Sequence, residues 1–217
     1  MVLKLYGFAL STCTRRVAVV LHEKKVPFEF VQVDLTKGEH KAPEYKKFQP
    51  FGIVPYIDDD GFILYESRAI GRYIAAKYPS QGPALVPNVK DLQATALFEQ
   101  AASVEASAFD PYASAAVAEK VFKPHYGGTP DEEVFQGYIS KLSAKLDVYE
   151  QILAKQKYVA GNEITLADLF HLSYGSMLPF AGSDVIESKP HVASWFKEIS
   201  ARPSWQAVAG GVSHKSS

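Results

Sequence analysis

The chain changes its hydrophobic period partway along. Up to about residue 80, short strand-like runs alternate with runs at helical spacing, whereas from Val89 onward only helical patterns occur. Between the two lies Tyr78-Pro79-Ser80-Gln81-Gly82-Pro83-Ala84, whose Pro and Gly content marks a break. An α/β part over residues 1–80, a linker over 81–88 and an all-α part over 89–217 are therefore expected. At 217 residues the chain is long enough for two such parts, and a hydrophobic content of 47% with 22% charged residues suffices for packed cores.

In the first part, Leu3-Lys4-Leu5-Tyr6 reads as a strand, Gly7 to Leu10 as a loop and Arg15 to Lys25 as a helix. Phe28 to Val33 follows as a second strand, which gives a β-α-β unit whose strands should pair in parallel. Tyr56-Ile57-Asp58 and Phe62-Ile63-Leu64-Tyr65 form two more strands, joined through an Asp-Gly pair that favours a tight antiparallel turn. A helix from Ser67 to about Lys77 ends before Pro79. In the second part, a helical stretch from Val89 to Phe109 breaks near Asp110-Pro111 and resumes to about Val121. Thr129-Pro130-Asp131-Glu132 reads as the start of a helix running to about Gln156, with Thr129 as cap and Glu132 as capping-box acid. Thr165 and Asp168 form a second capping box, flanked by Ile164 and Leu169, and a last helix spans Val192 to Ala201.

Charge and cysteine content narrow the function. A formal net charge of −1 argues against a dedicated nucleic-acid binder. Apolar runs are too short for a bilayer span and the first residues lack a secretory core, so a cytoplasmic protein is expected. The one cysteine, Cys13, forbids an intrachain disulfide and any multi-cysteine metal site. It is either a small buried hydrophobe or a reactive thiol.

Three clusters have residues suited to chemistry. Ser11, Thr12 and Thr14 lie between the first strand and first helix, where free amides and the helix dipole favour an anion such as a thiolate; the same residues can equally serve only as caps. Val54-Pro55 opens a strand, and a cis bond there would turn the Val54 backbone outward toward a peptide-like ligand, whereas a trans bond would not. Ser67 begins a helix and is either a carboxylate binder or a cap. His40-Lys41, taken alone, reads as solvated surface.

Taken in order, these clusters carry more. Ser11-Thr12-Cys13-Thr14-Arg15-Arg16-Val17, Gly38-Glu39-His40-Lys41, Gln49-Pro50-Phe51-Gly52-Ile53-Val54-Pro55, Glu66-Ser67-Arg68-Ala69-Ile70 and Gly161-Asn162-Glu163-Ile164-Thr165-Leu166-Ala167-Asp168 resemble the signatures of the cytosolic glutathione transferases, most closely the phi class of plants and fungi. The resemblance spans both halves of the chain. It implies a thioredoxin-like βαβαββα domain and an all-helical domain, with glutathione as co-substrate, no other cofactor and no metal. Ser11 matches the catalytic serine that donates to the glutathione sulfur; His40 and Lys41 match the holders of the glycine carboxylate. Val54, before an expected cis Pro55, matches the residue whose backbone pairs with the cysteinyl part, and Glu66 and Ser67 match the binders of the γ-glutamyl amine and carboxylate. Thr165 and Asp168 match a folding motif.

One position departs from the pattern. Ile53 stands where phi enzymes usually carry glutamine, so one polar contact to the tripeptide is expected to be missing and binding to be weaker. In classes that use cysteine, it occupies the position of Ser11 and precedes proline, while Cys13 lies two residues on before Thr14 and is expected to point away from Ser11 toward the sheet. Conjugation of glutathione to hydrophobic electrophiles, with reduction of organic peroxides as a companion activity, is the leading expectation. A Cys13-dependent thiol transferase or deglutathionylase and a non-enzymatic carrier of hydrophobic ligands are the alternatives. The electrophile pocket is expected to be lined by Phe8, Leu10, Phe109, Tyr112, Tyr174 and Met177. The family implies a two-fold homodimer, with Phe51 placed to insert into the partner.

Overall fold

The computed structural model describes residues 2–213. By its contacts the chain divides into two compact units: residues 2–86 with 202–213, and residues 87–201. The segment after Arg202 thus packs with the α/β unit, at the far end of the region that the sequence assigns to the helical half. Residues 78–86 also stay with the first unit, where Lys24 Nζ donates to the Pro83 carbonyl at 2.8 Å and Leu85 is fully buried. Of the tail Gly210 to Ser217, residues 214–217 lie outside the described residues.

The first unit contains β1 (Leu3–Gly7), α1 (Thr12–Glu23), β2 (Phe28–Gln32), a 3-10 turn (Glu39–Lys41), α2 (Pro43–Lys46), β3 (Tyr56–Asp59), β4 (Phe62–Tyr65) and α3 (Ser67–Lys77). Its sheet runs β2-β1-β3-β4, with β1 and β2 parallel and the other neighbours antiparallel. Alternation sets the buried face: Leu3 and Leu5 of β1 and Phe28 and Phe30 of β2 are buried. Asp60 and Gly61 both adopt positive φ, 56° and 87°, and join β3 to β4 in a two-residue turn with Asp59 opposite Phe62. That conformation suits Asp-Gly because it matches the strand twist.

Helix α1 starts three residues earlier than its apolar spacing suggests, because Ser11 caps it: the Ser11 oxygen accepts from the Thr14 amide at 3.3 Å. Val17 through Leu21 are fully buried, so this helix is enclosed on every side. Helix α3 packs along it, and the His22 ring meets Phe28 of β2 edge-on at 5.6 Å. A further part is covered by α10 (Pro203–Gln206), in the segment from residue 202 that returns to this unit.

The second unit is helical. It contains α4 (Leu92–Val104), α5 (Asp110–Val117), α6 (Lys123–His125), α7 (Glu132–Leu153), α8 (Leu166–Gly175) and α9 (Pro190–Ser200). Wide π turns over Glu105–Phe109 and Ala118–Phe122 join α4 to α5 and α5 to α6. Pro111 and Pro124 follow them; a proline ring clashes with the carbonyl four residues back, and a widened turn relieves the clash. The cap of α7 is Asp131 rather than Thr129: the Asp131 amide is held by the Glu119 carboxylate at 2.6 Å, keeping it extended, while its side chain accepts from the Val134 amide. Thr165 and Asp168 form a reciprocal capping box on α8. Asp168 is fully buried and accepts from the amides of Val159 and Thr165, from the Thr165 hydroxyl and from the Trp195 indole. Beside it, His171 Nδ1 lies 2.7 Å from the Ala167 carbonyl and Nε2 3.1 Å from the Tyr149 hydroxyl.

Candidate functional site on the first unit

Sheet topology gathers the candidate residues at one end of the strands. Gly7 pairs with Gln32, Tyr6 with Tyr56 and Tyr56 with Tyr65, so the ends of β1, β2 and β4 and the start of β3 lie side by side. Ser11 follows β1, His40 and Lys41 follow β2, Val54 and Pro55 precede β3, and Glu66 and Ser67 follow β4. Four separate loops thus deliver all these residues to the same edge.

Ser11 is half-buried at the N-terminus of α1, with extended backbone (φ −61°, ψ 130°). Because its oxygen receives the Thr14 amide, its hydroxyl proton remains available to donate. The free amides of the first helical turn add positive potential there. A sulfur set against this turn would meet a hydrogen-bond donor and a favourable field together.

At the start of α3, Glu66 has φ +71° and ψ 106°, a backbone region that costs a non-glycine residue of order 1–3 kcal/mol. Its carbonyl accepts from the Ile70 amide at 2.8 Å while its side chain remains exposed. Ser67 is buried, and Arg16 Nη1 donates to its oxygen at 3.2 Å. The same Nη1 lies 3.6 Å from the Cys13 sulfur. Cys13 is therefore half-buried on the α1 face shared with Arg16, rather than a fully enclosed packing residue.

The loop before β3 is held from beneath. The Val54-Pro55 peptide is cis. Tyr45 donates its hydroxyl to the Ile53 carbonyl at 2.8 Å, and the Ile53 amide donates to the buried Gln49 side chain at 3.4 Å, leaving the Ile53 side chain 47% exposed. Burial pushes the Tyr45 and Tyr56 hydroxyls well above the ordinary phenol range, so both stay protonated donors. Nearby, His40 Nδ1 and Gln49 Nε2 are buried without a hydrogen-bond partner among the described residues. Burial, with the charges of Lys41 and Lys46 added to it, lowers the His40 pKa, so the imidazole is neutral near pH 7.

The apolar candidates divide by unit. Phe8 is half-buried and Leu10 is 59% exposed, on either side of Ala9 next to Ser11. In the helical unit, Tyr112, Tyr174 and Met177 are half-buried. Phe109 is instead a core residue, 1% exposed with its ring 4.6 Å from His171, so it is not a surface-lining side chain of that unit. No group of three or more His, Cys, Asp or Glu residues among those described could hold a metal ion.

Two contributors carried no assigned role in the sequence. Arg16 is 1% exposed and links α1 to the start of α3; its one clue is a charge directly abutting the wholly apolar run Val17 to Leu21. Gln49 stands in an irregular loop, where no periodicity signals burial.

Comparison with known proteins places this edge in context. Residues 1–76 match the glutathione S-transferase N-terminal domain model and residues 109–203 the C-terminal domain model. The chain is 52% identical to glutathione S-transferase PM239X14 of Arabidopsis thaliana over 89% of both chains. Glutathione transferase F7 from Populus trichocarpa superimposes with a TM-score of 0.92 at 40% identity, covering 98% of this chain and 100% of that one. A maize glutathione S-transferase I, solved in complex with an atrazine glutathione conjugate, is 34% identical with a TM-score of 0.88 and covers 97% of each chain. With its thioredoxin-like sheet, its helical second unit and its plant relatives, the chain belongs to the phi class of the glutathione S-transferase family.

Proposed function

We propose that this chain conjugates glutathione to hydrophobic electrophiles, with Ser11 as the residue that favours the thiolate. The observation that carries the reading is the placement of a half-buried serine hydroxyl at the N-terminus of α1, on the strand edge where the other candidates converge. The glutathione thiol releases its proton to solvent; the sulfur, accepting from Ser11 Oγ–H, attacks the electrophilic carbon, and the leaving group departs with its electron pair. A free thiol of pKa about 8.5 is only a few per cent ionised at pH 7, and lowering it by about two units requires about 2.7 kcal/mol. One hydrogen bond to a charged group supplies roughly 1.5–3 kcal/mol.

His40 and Lys41 take the glycine carboxylate, the Val54 backbone pairs with the cysteinyl residue, and Glu66 and Ser67 hold the γ-glutamyl amine and carboxylate. The conjugate held by the maize relative supports a hydrophobic second substrate of this kind. Phe8 and Leu10, flanking the loop before Ser11, are assigned to that substrate. A two-fold homodimer is part of the proposal, supported by Phe51, which is 66% exposed and braced edge-on against Tyr65; a monomer by sedimentation at micromolar concentration contradicts it. No helix among the described residues is long and apolar enough to cross a membrane, and a cytoplasmic location is proposed with the family.

The test compares the parent, Ser11→Ala and Cys13→Ser in conjugation of a chlorinated nitroaromatic, reduction of an organic peroxide and reduction of a mixed disulfide. Ser11→Ala is expected to lower kcat/KM for conjugation about 100-fold. Undiminished conjugation in that variant overturns the mechanism. The 3.6 Å approach of Arg16 to the Cys13 sulfur is what favours a thiol-transferase reading, and loss of disulfide reduction in Cys13→Ser alone would establish it.

A further inference from the structure

We infer that the C-terminal segment from Arg202 to Val212 is a clamp that sets the position of Ser11, and that Arg15 and Val212 are positioning residues for the thiolate step. The inference rests on the assignment of Ser11 above.

The segment grips both ends of α1. At the C-terminal end, the Glu23 carboxylate accepts from Arg202 Nε at 2.5 Å, Arg202 Nη2 at 2.8 Å and the Ser204 hydroxyl at 2.5 Å. At the N-terminal end, Arg15 Nη1 donates to the Ala209 carbonyl at 2.9 Å and the guanidinium lies 5.6 Å from the Trp205 ring centre. Both charged residues are nearly buried, Arg15 at 7% and Glu23 at 7% exposure. Arg15 is tied directly to the site, since its amide donates to the Ser11 carbonyl at 2.9 Å.

The chain then reaches the loop that presents Ser11. The Val212 amide donates to the Ala9 carbonyl at 3.0 Å, while the Ala9 amide donates to the Gln32 side chain at 3.3 Å. Ala9 is thereby held on one side from the end of β2 and on the other from the C-terminal segment, two residues before Ser11. Gly211 makes the approach possible: it has φ +124°, and a Cβ there would lie 3.2 Å from a Leu10 methyl. Val212 itself is buried.

A stabilising hydroxyl acts over a few tenths of an ångström, so fixing its loop matters more to the reaction than to the fold. The two grips separate these roles. Glu23 lies at the distant end of α1 and serves stability; Arg15 and the Val212 amide lie at the end that carries Ser11.

The experiment titrates the thiolate of bound glutathione by ultraviolet absorbance and measures kcat and KM, in the full chain. Ser11→Ala comes first: a midpoint equal to the parent's overturns the Ser11 assignment, and the clamp with it. Given a Ser11-dependent midpoint, Arg15→Met is expected to raise it by roughly half to one unit and to lower kcat about three- to tenfold, with the glutathione KM within about twofold. Arg15→Lys, which keeps a donor, should recover part of the shift. Glu23→Gln should lower the melting temperature and leave the midpoint unchanged. Should Arg15→Met fail to fold, Val212→Pro, which removes the amide donor, is read against Val212→Ala, which keeps it: only the proline is expected to shift the midpoint. An Arg15→Met midpoint equal to the parent's, or equal shifts in Val212→Pro and Val212→Ala, would reduce the segment to a structural strut and overturn the inference.

Discussion

Helices α1 and α8 lie in different units, and each starts on a hydroxyl cap. Ser11 accepts one amide and is half-buried, with no acceptor for its own proton among the described residues. Thr165 is buried; it accepts the Ala167 amide and donates its proton to Asp168. The same local device therefore leaves donor capacity at the strand edge of the first unit and consumes it inside the second. What separates the proposed site from a scaffold here is whether the cap's proton already has an internal acceptor. Asp168 fills that role for α8, and no acidic residue occupies the first turn of α1.

Removing the acceptor should test this contrast most severely. Asp168→Ala leaves two amides, an indole and a hydroxyl without their partner, and is expected to destabilise the protein by more than about 3 kcal/mol. Thermal unfolding measures that loss, and the thiolate midpoint of bound glutathione should not move. A shifted midpoint with intact stability would erase the distinction between the two caps.

A smaller effect is expected at Asp59, a buried structural carboxylate of the first unit. Burial pushes its pKa up, but hydrogen bonds from Lys77 and Tyr73, with the Lys77 charge, outweigh it and hold the group below its ordinary range. Its contribution is thus present above the unfolded-state pKa of about 4 and is lost as pH falls through the lower folded value. Asp59→Asn should cost about 1–2 kcal/mol at pH 7, and progressively less below about pH 4, by thermal unfolding across pH. A penalty independent of pH would show that the ion pair with Lys77 is not what stabilises this end of α3.

The finest test concerns ligand contact alone. Ile53 is fixed through its backbone by Tyr45 and Gln49, so Ile53→Gln changes only an exposed side chain. One added hydrogen bond to the tripeptide should tighten glutathione about three- to tenfold by calorimetry, with stability unchanged. An unchanged dissociation constant would remove position 53 from the binding surface.

Local signals in the sequence revealed the elements that depend on local chemistry. The Asp60-Gly61 turn, the α3 boundaries and the Thr165–Asp168 box all follow from neighbouring residues, and the motif order brought the Ser11, His40, Val54 and Glu66 clusters into one reading. Contacts between distant segments left no such trace. Arg15 and Arg16 open the helix that the apolar spacing predicts, and nothing beside them in the sequence signals burial; yet both are buried, because Ala209 and Trp205 in one case and Ser67 in the other come from far along the chain. The cap of α7 moved from Thr129 to Asp131 through the Glu119 carboxylate, twelve residues upstream. Phe109 suited an apolar pocket by residue type, but packing against His171 placed it in a core.

The hairpin turn at Asp60-Gly61 lies at the opposite end of the strands from every first-unit loop that carries a candidate residue, and a Cβ at position 61 would meet no atom within 4 Å. Strand geometry therefore gives the first unit one pole that gathers its candidate residues and a silent one. A fluorophore, an affinity tag or a covalent link to a solid support introduced at the silent pole would hold the first unit by its back, leaving the proposed glutathione edge untouched.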